Sequence, residues 1–105
     1  MKIDVSEKIK DLYGTPYASP RSTPKGVIYL TAAEVYITAL LGPTPQPIPY
    51  EQCKERVELA DRLKDAEGET ELEDREIEIL KGLVPITNNL PLIVAKAVGL
   101  LEKEG

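Results

Sequence analysis

A chain of 105 residues carries 18 acidic and 13 basic side chains, a net charge of −5, no histidine, and no phenylalanine or tryptophan. That length fits one domain, and its core must be aliphatic because the only aromatic side chains are five tyrosines. The missing histidine removes the commonest general base and metal ligand, and the acidic balance repels phosphate backbones, so direct nucleic-acid binding is not expected.

Residues 2–5, Lys-Ile-Asp-Val, alternate polar and apolar with the period of a half-buried strand. Ile9 to Tyr13 reads as a second short extended piece, ended by Gly14-Thr15-Pro16. Pro16, Pro20 and Pro24 then recur at four-residue spacing among small hydroxyl residues, which cannot sustain a helix, so residues 14–26 read as an extended loop. Val27-Ile28-Tyr29-Leu30 is the best strand candidate, being β-branched and aromatic. The expected β element is therefore a small N-terminal hairpin or a set of short strands.

Thr31-Ala32-Ala33-Glu34 has the spacing of a capping box and opens a helix with Ala32, Val35, Tyr36, Ala39 and Leu40 on one face. Gly42-Pro43 stops it, and Pro43, Pro45, Pro47 and Pro49 make a stiff connector whose spacing is not that of a PxxP ligand. The chain changes character at Tyr50. Residues 15–50 hold seven of the nine prolines and three charges, whereas residues 51–81 hold 18 charges and no proline.

A second helix is expected from about Glu51 to Ala66, with Cys53, Val57, Ala60 and Leu63 as its inner stripe and Glu58 paired to Arg62. Gly68 is placed to end it. Thr70-Glu71-Leu72-Glu73 reads as another capping box, opening a third helix to about Leu83, with Pro85 breaking the chain after it. Asn88 or Asn89 caps a last helix with Pro91 in its first turn. From Leu90 to Leu101 that helix is apolar almost all round, as expected of a central packing helix, and Ala95 and Gly99 leave a bare patch on it.

No catalytic set emerges. Cys53 lacks an imidazole partner and reads as a buried, inert thiol, and a single cysteine excludes an internal disulfide and suggests a reducing compartment. No glycine-rich phosphate cradle, zinc spacing or EF-hand loop is present, so no cofactor and no metal are expected. Lys2 and Asp4 interrupt any opening apolar run, and the apolar stretch near the end, with Lys96 inside it, is too short to cross a bilayer; no membrane contact and a cytoplasmic location are expected.

Two candidate partner-binding regions stand out. Tyr13, Tyr17 and Arg21 interleave aromatic and basic side chains on the proline-rich arm. Glu69, Glu71 and Asp74 lie in residues 65–78, where eight acids face one base for a local charge of −7. The plain reading of that run is a solvated helix junction, and the sharper one is a carboxylate surface that imitates a phosphate backbone. A hard-cation site on Glu69, Glu71 and Asp74 ranks behind both.

The opening Met1-Lys2-Ile3-Asp4-Val5, Ile9-Lys10-Asp11-Leu12, Leu59-Ala60-Asp61-Arg62-Leu63, Leu72 to Ile77, Leu80 to Val84 and Leu92-Ile93-Val94 together resemble small uncharacterised proteins of tailed bacteriophages. The expectation is a mainly α fold of four helices with a small β element, in one domain. Its expected function is a non-enzymatic protein–protein interaction module, a phage accessory protein that binds a host protein or a virion subunit. An acidic, nucleic-acid-mimicking inhibitor of a host enzyme is the first alternative, and a self-associating virion or tail assembly component the second.

Overall fold

The computed structural model describes residues 2–19, 22–44, 46–66, 68–87 and 90–102. Among them, four helices form, α1 (Ala32–Leu41), α2 (Tyr50–Asp65), α3 (Asp74–Thr87) and α4 (Pro91–Glu102), with strands β1 (Lys2–Asp4) and β2 (Glu69–Glu71). The chain is thus mainly α with a two-stranded antiparallel sheet.

The strand at the N-terminus pairs across most of the chain. Lys2 faces Glu71, Ile3 faces Thr70 and Asp4 faces Glu69. Gly68, at φ +81°, turns the chain from α2 into β2, and its carbonyl accepts the Val5 amide at 3.2 Å. Residues 70–73 therefore do not open a helix as their capping-box spacing suggests. The box lies three residues further on: the Glu76 carboxylate accepts the Glu73 amide at 2.9 Å, and α3 begins at Asp74. The far end of α3 also differs from expectation. Pro85 sits inside the helix, two residues from its end, and the Thr87 hydroxyl donates to the Leu83 carbonyl at 2.9 Å in that last turn. The cap expected at Asn88 or Asn89 lies outside the described residues.

The proline-rich arm is a folded wrapper rather than an open loop. Ile9 N–H donates to Leu30 O (2.9 Å), Tyr17 N–H to Ile9 O (2.9 Å) and Leu30 N–H to Tyr17 O (2.8 Å), so three short extended pieces close on one another. Val27 to Leu30 contributes one bridge, Tyr29 to Ala18, instead of a full strand. Asp11 Oδ1 accepts the amides of Tyr13 and Thr15, and Gly14 takes φ +82° at the turn tip. Ser19 Oγ donates to Glu34 Oε1 at 2.5 Å, which ties this wrapper to α1.

Helix α1 starts where its sequence says: Thr31 Oγ1 accepts the Glu34 amide at 3.3 Å. It occupies the middle of the fold, packed against α2, α3 and α4. Ala32 and Ala39 let neighbours approach closely, and Tyr36 is fully buried, with its hydroxyl donating to the Ala97 carbonyl at 2.6 Å. Burial, aided by the Glu7 carboxylate, pushes the Tyr36 phenol well above the ordinary tyrosine range. Helix α4, expected at the centre, is peripheral instead. Ile93, Ala97, Leu100 and Leu101 form one buried stripe at helical spacing, while Ala95 and Lys96 face solvent.

Helices α2 and α3 meet through charge. Arg62 Nη1 lies 2.7 Å from Glu76 Oε2, and Arg62 Nη2 also donates to the Glu71 carbonyl at 3.0 Å. Arg62 thus reaches across to α3 and β2 rather than to Glu58. Arg75 and Glu55 make a second, more exposed bridge at 2.8 Å.

Candidate docking groove

The buried face of α2 is Leu59, Ala60 and Leu63, rotated from the expected stripe. Cys53 and Val57, expected inside, are exposed, Val57 by 55%. This end of α2 follows directly on the proline-rich connector from α1. The connector leads straight into the first turn of α2, where the Pro49 carbonyl accepts the amides of Gln52 and Cys53, and residues 50–54 at this end of the helix are exposed.

What remains is a groove. One part, of about 480 Å³, is bounded by Leu41, Pro47, Ile48, Cys53, Arg56 and Val57. The adjoining part, of about 300 Å³, continues past Ile48 and Arg56 to Ile86 and Thr87 at the end of α3. Gly42 lies in its floor, where a Cβ would come within 2.9 Å of the Thr38 carbonyl, so close approach and not φ requires glycine there. Thr44 Oγ1 donates to Gln46 O at 2.6 Å and stiffens the connector. Leu41, Val57 and Ile86 are each more than half exposed (56%, 55% and 65%). Contiguous apolar exposure of this kind marks interaction surfaces.

Arg56 is the one charged side chain lining both parts of the groove. It is half-buried, and among the described residues it makes no ion pair. A guanidinium held in an apolar wall with its fork unspent favours a carboxylate, which it can bind through two parallel hydrogen bonds.

The sequence-derived site residues fall elsewhere. Tyr13 stands at the tip of the Asp11–Thr15 turn, 93% exposed. Tyr17 is half-buried and packs against the core, so it serves the fold. Arg21 lies outside the described residues. Glu69 and Glu71 both sit exposed on β2, and Asp74 is the first residue of α3. Glu69 lies opposite Asp4, a like-charged pair, whereas Glu71 lies opposite Lys2. These three acids occupy one stretch of chain separate from the tyrosine arm, and among the described residues no group of acids or thiols is arranged to hold a metal ion. No helix among the described residues is long and apolar enough to cross a membrane.

The sequence reading overlooked Arg56, Leu41, Ile48 and Ile86. Arg56, set among Lys54, Glu55 and Glu58, gives no local signal, because the groove exists only once the ends of α1 and α3 are brought to the start of α2. Comparison with protein-family models, with curated proteins and with solved structures finds no match to this chain.

Proposed function

We propose that the chain is a protein-binding module whose groove takes an extended segment of a partner protein. Apolar side chains of that segment cover Leu41, Val57 and Ile86, and a carboxylate of the segment meets Arg56. The observation that carries this reading is half-buried Arg56, the one charged residue lining a mainly apolar groove, which makes no ion pair among the described residues. In the phage setting suggested by the sequence resemblance, the partner is a host protein or a virion subunit.

Imitation of nucleic acid by the β2–α3 acids is less well supported. Glu76 is committed to Arg62 and to the Glu73 amide, and Glu71 lies opposite Lys2, so part of that charge holds the fold together.

The test uses a leucine-rich hexapeptide with a free C-terminal carboxylate, and the same peptide amidated, titrated into the labelled protein by NMR. Saturable shifts at Arg56, Val57 and Ile86 are expected for the acid form. Amidation, or Arg56→Gln in the protein, should weaken binding about tenfold, the loss of one charge-assisted contact. Affinity unchanged by both modifications, or no saturable response, would refute the assignment.

A further inference from the structure

A second cleft shares no residue with the groove. It opens between residues 7–10 and α4, has a volume of about 450 Å³, and among the described residues is lined by Lys8, Lys10 and Lys96, with Glu7 as the only acid. This is an unusual concentration of positive charge on a chain whose net charge is −5. Among the described residues none of the three lysines makes an ion pair. Lys8 is instead oriented by an aromatic ring, its Nζ lying 4.7 Å from the Tyr29 centroid, a contact that positions an ammonium without neutralising it.

Two of the four α4 residues on the cleft wall are small, the others being Lys96 and Leu100. Ala95 and Gly99 line it, and a Cβ added at Gly99 would meet nothing within 4 Å. Lysines border the cleft on both sides, Lys8 and Lys10 on the extended segment and Lys96 on the helix, and all three are exposed.

We propose that this cleft binds a small phosphate-bearing molecule. Among the described lining residues three lysines stand against one glutamate, a balance of +2 that matches a phosphomonoester dianion better than a single carboxylate. The volume is that of a small-molecule site. Glu7 supplies an acceptor for a hydroxyl group of the ligand, which favours a sugar phosphate over inorganic phosphate. Polymeric nucleic acid is disfavoured by the acidity of the rest of the surface.

Ribose 5-phosphate, ribose and inorganic phosphate are titrated separately into the intact labelled protein at low ionic strength, following the amides of Lys96 and Gly99. Ribose 5-phosphate should give saturable shifts, inorganic phosphate weaker ones and ribose none. The variant Lys10→Gln with Lys96→Gln alters two exposed side chains and should keep the thermal midpoint, yet bind ribose 5-phosphate at least about tenfold more weakly. Equal binding of ribose, shifts that fail to saturate, or affinity unchanged in a variant with an unchanged midpoint would overturn the proposal.

Discussion

Replacing Tyr36 by alanine is expected to destabilise the protein by about 4 kcal/mol, the cost of emptying a fully buried aromatic site. For a chain of this length, whose whole stability lies on the order of 5–15 kcal/mol, that is a large share. The effect is expected to be large because Tyr36 lies on the helix that α2, α3 and α4 all pack against, and because its hydroxyl reaches the Ala97 carbonyl on α4. Tyr36→Phe keeps the ring and removes only that hydrogen bond, so its cost should be about 1 kcal/mol. Urea unfolding of the three proteins measures both steps, and a Tyr36→Ala loss no larger than that of Tyr36→Phe would contradict the packing described.

The same residue sets an alkaline limit. Its neutral phenol is favoured in the folded protein, while the unfolded chain ionises near the ordinary tyrosine value of 10.0. A raised folded-state pKa means that the associated stability is fully present below that value and is lost as pH climbs above it. The loss should run at about 1.4 kcal/mol per pH unit. Tyr36→Phe should lack this component, so the stability gap between the two proteins should narrow, then reverse, above pH 10.

The second large effect is expected at Glu76. Its carboxylate, 11% exposed, accepts from Arg62 and from the Glu73 amide, joining α2 to the start of α3. Glu76→Ala should cost about 2 kcal/mol, because one helix-capping bond and one charge-assisted bond are lost together. Glu76→Gln keeps an acceptor for the Glu73 amide and should cost about half as much. The Arg62 side chain is 52% exposed, so the ion pair itself is screened, and a double-mutant cycle with Arg62→Ala should give a coupling of no more than about 1 kcal/mol. Equal losses for the alanine and glutamine variants would show that the capping bond contributes nothing.

These two sites show what was legible in the amino-acid sequence. The start of α1 was readable because the Thr31 hydroxyl caps the amide of Glu34 three residues on, a purely local contact. The existence of α2 was equally readable, since helix formation there follows from its residues alone. Its inner face was not. Cys53, Val57, Ala60 and Leu63 fit a helical period, but the covering elements select Leu59, Ala60 and Leu63. Strand β2 has three residues and a partner nearly seventy positions away, so Thr70-Glu71-Leu72-Glu73 satisfied a local pattern while a distant strand decided the outcome. The apolar composition of residues 90–101 suggested a hub, yet only one stripe of α4 meets neighbours.

The candidate sites were less legible for the same reason. Arg56 acquires meaning only beside Ile86, and Lys96 only beside Lys8 and Lys10, and each pairing depends on tertiary contact. Tyr13 and Glu69, conspicuous in the sequence, stand on the surface of separate segments.

Native-state hydrogen exchange on the intact protein addresses the placement of α1 most directly. The α1 amides from Val35 to Leu40 should be the slowest in the molecule, exchanging only through global unfolding, with those on the solvent side of α4 distinctly faster. Slower exchange in α4 than in α1, or exchange of the α1 amides through local opening, would contradict it.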